Sequence, residues 1–348
     1  MANKERLYKK YEAQHKARLL KYGNEIDRIY YEAIDAIALS AEGTTLLPGT
    51  FDLKKYPSLN RKVKSVLEKL SSNIEVFLYS SIAKEWVAAD IKNDEIFDIL
   101  LGRKGKKSSL LNMRSEDALN AFLERKDKNG LNLSKRVYKQ VGAYKNELEA
   151  GLADGIAWGK GHKELGRDLK KYLKEPDKVF RKIKSEGKVR LSKPALAYKP
   201  GQGVYRSSNK NIQRLTRTET NMGYRKSDMI RYQRSPFVIG FEVKLSAAHP
   251  RYDICDNLAG PYPVTFIFVG WHPQCICFNI PILLTPAEYD RMENDLLDGK
   301  DISKIKYTDR PTPNADQAKK WWSENKDVVN NWASTPYFIK DNPSFFKN

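Results

Sequence analysis

Apolar residues along this chain recur first at helical spacing and later in alternation, and the switch falls near Pro236. Ile26, Ile29, Tyr30, Ala33, Ile34 and Ile37 follow one another at intervals of three and four, with Leu7, Tyr11 and Leu19 extending a sparser stripe. That spacing predicts a helix over the first 40 residues. Its charged part, residues 4–21, reads as a mobile arm or a partner-binding helix. Gly43, Pro48, Gly49 and Pro57 interrupt the pattern. Over 58–89, Val63, Leu67, Leu70, Ile74, Leu78, Ile82 and Trp86 make one apolar face, the signature of a core-facing helix with no chemistry of its own.

Ser134 stands at an expected helix start, where its hydroxyl can accept from an unpaired backbone N–H. In the helix that follows, Gly151, Gly155 and Gly159 share one face and would let another backbone come close. A further amphipathic helix opens at Gly161-His162 and ends at Pro176. Residues 177–208 form a basic linker. Its Gly201-Gln202-Gly203 is followed by no Gly-Lys-Ser or Gly-Lys-Thr, so a phosphate-cradling loop is not indicated. Asn209 is expected to cap a helix running to about Arg234, with Glu219 held by an arginine at the edge of its apolar face.

Beyond Pro236, segments 237–245, 264–269 and 278–284 alternate and predict strands. Thr285-Pro286 starts a short helix, 315–331 another, and the aromatic end around Phe338 and Phe346 should dock on this sheet or on a neighbour. The expected fold class is α+β: a mainly α-helical N-terminal half, and a C-terminal half with a small antiparallel sheet clipped by a zinc site. Three regions are expected, at 1–129, 130–285 and 286–348.

Charge adds a partner. The chain of 348 residues carries 62 Lys or Arg against 43 Asp or Glu, a net +19. Residues 101–200 alone hold 26 basic against 12 acidic side chains, or +14. Such an excess suits a polyanion such as DNA, bound without sequence preference through release of its counterions. The basic loop with Lys104, Lys106 and Lys107, and the stripe of Arg206, Lys210 and Arg214, are the candidate nucleic-acid contacts. No stretch approaches the roughly 20 apolar residues of a membrane span, and the charged opening is expected to hold no secretory signal.

The chemistry is concentrated. All three cysteines and two of the four histidines fall between positions 249 and 277. Thiols and imidazoles gathered in a short window are the ligands of Zn²⁺. The favoured set is Cys255, His272, Cys275 and Cys277, with His249 or Asp253 as a substitute for one of them. The plainer alternative is three buried thiols acting as small apolar side chains. Zinc deaminase chemistry needs a Glu two residues after the ligand His, but Gln274 and Arg251 stand there. No His-Glu-x-x-His is present. An enzyme is therefore not expected.

In order, the chain carries Leu133-Ser134-x-Arg136-Val137, Gly151 to Gly159, Tyr205-Arg206-Ser207-Ser208 and Arg214-Leu215-x-Arg217-Thr218-Glu219-Thr220-Asn221. Asp253-Ile254-Cys255-Asp256 and Gly270-Trp271-His272-Pro273-x-Cys275-x-Cys277 follow. Together these resemble the phage head morphogenesis family typified by the F protein of phage Mu, over roughly residues 130–285. The resemblance implies a minor capsid protein, present in few copies inside the head near the portal. It would work with portal and capsid proteins, contact packaged DNA, and reach the virion from the host cytoplasm. It also implies that Cys255, His272, Cys275 and Cys277 match the family's Cys/His positions and that Arg217, Thr218 and Glu219 form a structural helix motif. The chain departs from the family pattern at Ile276, where many relatives have Arg, and in having one cysteine near 255 where others have two. The alternatives are a zinc-stabilised nucleic-acid-binding protein and a zinc-dependent hydrolase or toxin.

Overall fold

The computed structural model describes residues 2–47, 51–102, 116–176, 183–185, 188–190, 204–246, 249, 252–332 and 335–346. The structure is mostly helical, with a small antiparallel sheet in the C-terminal half. Helices α1 (Ala2–Ala41), α2 (Pro57–Leu100), α3 (Glu116–Glu124), α4 (Leu133–Ala157) and α5 (His162–Lys174) come first. Within the expected basic linker, β1 (Ile183–Ser185) and β2 (Lys188–Arg190) pair antiparallel. Then follow α6 (Ser208–Arg234), β3 (Val238–Lys244), α7 (Ile254–Leu258), β4 (Gly260–Tyr262), β5 (Phe278–Leu283), α8 (Pro286–Leu297), α9 (Asp316–Asn330) and α10 (Tyr337–Lys340). Among the described residues no helix is long and apolar enough to cross a membrane.

The chain divides into two compact units. One contains residues 1–19, 81–122 and 218–348, the other 20–80 and 123–217. In the second unit Gly151 and Gly155 face side chains of α5 rather than a neighbouring backbone. A methyl group at Gly151 would lie 2.5 Å from Leu169 Cδ2, and one at Gly155 2.4 Å from Leu165 Cδ1, so these leucines of α5 would have to shift if either glycine gained a side chain. Gly159 does something else. It lies beyond the helix with φ +59°, a left-handed conformation that suits glycine. Two caps also move. Asn132, not Ser134, caps α4 by accepting from the Lys135 N–H at 3.0 Å. For α6 the Ser207 hydroxyl accepts from the Lys210 N–H at 3.3 Å, ahead of the expected Asn209.

In the first unit, β3 is the centre of a three-stranded sheet ordered β4-β3-β5. Phe241 faces Tyr262 across one ladder and Pro281 across the other. Segment 264–269, expected to be a strand, is not one; the third strand is β4. Its apolar pattern has another cause. Phe266, Phe268 and Trp271 are buried in one aromatic cluster with Phe338 and Phe346 from the chain's end. The backbone bonds that a ladder would supply come from one side chain: Asn342 accepts from the Ile267 N–H at 2.6 Å and donates to its carbonyl at 2.9 Å. The aromatic tail therefore docks on its own unit.

The charged start of α1 is no mobile arm. Tyr8, Tyr11 and His15 are buried, and they enter a polar core between the starts of α1, the second half of α2 and α6. Lys92 and Asp228 are wholly buried and 2.7 Å apart, with the Asn93 amide on the other Asp228 oxygen at 2.8 Å. The fully buried Arg225 guanidinium grips both oxygens of Glu12, and Arg231 bonds to Asp94. Burial acts to raise the Glu12 pKa, but the Arg225 guanidinium outweighs it and holds the carboxyl below its usual range. Charges inside a protein persist when each has a partner.

Among the described residues no cation pairs in this way with Glu147 in the second unit. Burial pushes its pKa up to about 8, against the pull of the Ser208 N–H that donates to it at 2.7 Å. The folded chain thus binds a proton that the unfolded chain releases near pH 4.5, and stability should fall as pH rises from there towards 8. Replacing Glu147 with Gln keeps the acceptor and removes the titration. Urea unfolding at pH 5 and pH 8.5 should show a smaller loss for the variant; equal losses would exclude this role.

Candidate metal centre

Two short elements deliver the thiols and the imidazole, and a long helix holds them in place. Asp253 caps α7 in a reciprocal box: its carboxylate accepts from the Cys255 N–H at 2.6 Å, while Asp256 accepts from the Asp253 N–H at 2.7 Å. This fixes Cys255 at the first turn. The second element is the loop between β4 and β5. Gly270 adopts φ +114°, and a side chain there would meet Cys275 Cβ at 3.2 Å. Gln274 adopts φ +65° as the Cys275 N–H turns back onto the His272 carbonyl at 3.0 Å. Cys275 and Cys277, two apart, then lead into β5.

The third element is α6, and it holds the loop by its backbone. Thr218 Oγ1 accepts from the Gln274 N–H at 3.2 Å, and the Asn221 amide donates to the Cys275 carbonyl at 3.1 Å. Asn221 is itself fixed from behind. Its oxygen lies 3.0 Å from His15 Nε2, and His15 Nδ1 lies 2.6 Å from Glu85, which also takes two bonds from Arg18. Burial acts to raise the Glu85 pKa, but His15 and Arg18 bring it down to about 2, so the relay ends on a firmly ionised carboxylate. His15 also stacks on Tyr224 with ring centroids 4.0 Å apart.

The donors converge. Cys255 Sγ is 3.2 Å from His272 Nε2 and 3.8 Å from Cys275 Sγ, and both sulfurs are buried. His272 Nδ1 lies 2.9 Å from the Pro273 carbonyl, which can only accept, so Nδ1 is placed to donate there while Nε2 faces the sulfurs. This is how a metal-binding imidazole is commonly oriented. A tetrahedral ion about 2.3 Å from sulfur and about 2.0 Å from nitrogen would hold two sulfurs about 3.8 Å apart and sulfur and nitrogen about 3.5 Å apart. The observed spacings are 3.8 and 3.2 Å. The cluster of Cys255, His272 and Cys275 can therefore hold a metal ion such as zinc.

Electrostatics point the same way. The Cys275 thiol is held low by the hydrogen bonds of Cys255 and Cys277, whereas Cys255 is pushed up by its bond to Cys275 and by burial. One thiolate forms readily here; ionising the others needs added positive charge. Two groups flank the three donors. Cys277 is buried beside the two sulfurs and interacts with both. On the other side Asp253 spans two imidazoles, with one oxygen 3.1 Å from His249 Nε2 and the other 3.3 Å from His272 Nε2. His249, Asp253 and Cys255 form a second group of closely spaced donors.

The remaining expected residues lie elsewhere. Arg206 and Arg214 are half-buried and Lys210 exposed, all at the start of α6 in the other unit. Lys104, Lys106 and Lys107 lie outside the described residues. Of the helix motif, Thr218 touches the loop and Glu219 is buried. The parts that sequence reasoning missed are Asn221, His15 and Glu85, which form the relay. A lone buried-face His on an apparently charged arm was the one available signal. No protein-family model, curated protein or solved structure matches the chain.

The relay makes a graded prediction. Asn221→Leu would strand a buried carbonyl and a buried imidazole nitrogen, costing about 1–3 kcal/mol for each. Thr218→Val removes one half-buried acceptor and should cost about 0.5–1.5 kcal/mol. Urea unfolding of both variants should rank them in that order; equal, small effects would mean that α6 does not hold the loop.

Proposed function

We propose that this chain is a minor head protein of a tailed phage, resembling the phage head morphogenesis family, and that a structural zinc ion closes its C-terminal fold. The observation that carries the reading is spatial. The Arg-Thr-Glu-Thr-Asn helix, the Asp-Ile-Cys-Asp turn and the His-Pro-x-Cys-x-Cys loop are far apart in sequence, yet they meet through Thr218, Asn221, Cys255 and Cys275. Three of the six elements that carry the resemblance thus form one physical assembly, as they would if selected together for a fold; those at 133–137, 151–159 and 205–208 belong to the other unit.

On this reading the ion is held by Cys255, His272 and Cys275, with Cys277 completing a shell of protein ligands. Such a shell leaves no position for a reacting water and stabilises the fold directly. Gln274, in the place where a zinc deaminase carries its proton-shuttling Glu, favours a structural ion over a hydrolytic one. The net charge of +19 supports contact with packaged DNA, with Arg206, Lys210 and Arg214 as the described contacts. Portal and capsid proteins are the expected partners within the virion.

Quantitative mass spectrometry of DNA-filled particles and empty heads from the encoding phage tests this. A few copies per particle in both are expected; absence from both would contradict a virion role.

A further inference from the structure

Beside the metal loop, within the same unit, lies a cleft of about 520 Å³. Its size is that of a small-ligand pocket. One wall is the outer face of α1, where Lys9, Ala13 and Lys16 follow at helical spacing; the opposite rim is Lys244 at the end of β3. The inner wall is apolar, made by Leu19, Leu245, Ile276 and Phe278. His15 and Asn221 of the relay form part of its floor.

The charge is one-sided. The lining contains one acid among the described residues, Glu12, and both its oxygens are committed to Arg225. Beneath that pair the buried Lys92 is matched by Asp228. The interior is thus internally compensated, and Lys16 and Lys244 add positive charge to the lining, although Lys244 also leans on Glu242 at 3.5 Å. Cations at a rim above an apolar wall match a ligand that joins an anion to a flat apolar body.

We infer that this cleft binds a nucleotide, with the phosphate on Lys16 and Lys244 and the base against Ile276, Leu245 and Phe278. The ammonium groups meet the phosphate as point charges, and the base removes apolar wall from water. A free mononucleotide and a nucleotide within a single strand share this chemistry. The inference does not depend on the minor head reading.

Isothermal titration of the full chain at low salt with adenosine 5′-monophosphate, inorganic phosphate and a short oligodeoxythymidylate tests it. Saturable binding of the mononucleotide is expected if the source is free nucleotide, and of the oligonucleotide alone if it is a strand. Either must weaken by about tenfold or more in the Lys16→Glu, Lys244→Glu double variant. It must also weaken in Ala13→Trp, which fills the cleft from an exposed helix position without altering charge. The double variant Lys319→Glu, Lys326→Glu, at exposed positions of α9, should bind as the parent does. Absence of binding by both nucleotide probes would overturn the inference. So would affinity unchanged by Ala13→Trp, or inorganic phosphate binding as tightly as the nucleotides, since the apolar wall would then contribute nothing.

Discussion

Several lone pairs cannot be held within about 4 Å of one another away from water unless a proton or a cation lies among them. The buried sulfurs of Cys255 and Cys275 are in that position; beside them stands the partly exposed Nε2 of His272, with an Asp253 carboxylate oxygen 3.3 Å from it. Their approach is imposed by the chain. The capped turn of α7 fixes Cys255, the positive-φ residues Gly270 and Gln274 shape the loop, and α6 grips it through Thr218 and Asn221. A metal ion satisfies all the donors at once, whereas protons satisfy them piecemeal. Metal occupancy and pH are therefore linked, because each ligand must shed or withhold a proton to bind.

Behind the loop, order is maintained by charges rather than by apolar packing alone. The path from Arg18 through Glu85, His15 and Asn221 to the Cys275 carbonyl is buried for most of its length. Parallel to it run Arg225 with Glu12 and Lys92 with Asp228. Removing one member of such a pair leaves a buried charge uncompensated and costs about 3–5 kcal/mol, although an apolar core of the same shape could be as stable. Polar pairs accept one register only, and here that register fixes how the start of α1 meets the second half of α6 beneath the Cys/His loop.

The sequence made the longer helices, two of the strands in the three-stranded sheet and the candidate ligands legible, because each is encoded locally; the short helices at Glu116–Glu124, Ile254–Leu258 and Tyr337–Lys340 were not. Periodicity marks α1, α2 and β3, and three cysteines confined to 23 consecutive positions mark the centre. What local pattern hides is pairing across long separations. Residues 4–21 read as a mobile arm or a partner-binding helix until Glu12 meets Arg225 some 213 residues on, and residues 90–95, mostly polar and beyond the stripe read over 58–89, show no pattern until Lys92 meets Asp228. Segment 264–269 reads as a strand because its aromatics alternate, but their partners are the tail and Asn342 rather than a ladder. Asn221 was visible in the motif; its role was not, since an amide that bonds backbone on one side and imidazole on the other leaves no periodic trace.

The most direct test of the centre is titration of metal-free protein with cobalt(II), followed by its electronic absorption. Tetrahedral coordination by thiolates and imidazole should produce intense visible bands with sulfur-to-metal charge transfer, saturating at one ion per chain and bleached by zinc. A weak spectrum without charge transfer, or one unchanged by Cys255→Ser, would contradict a metal held by this cluster.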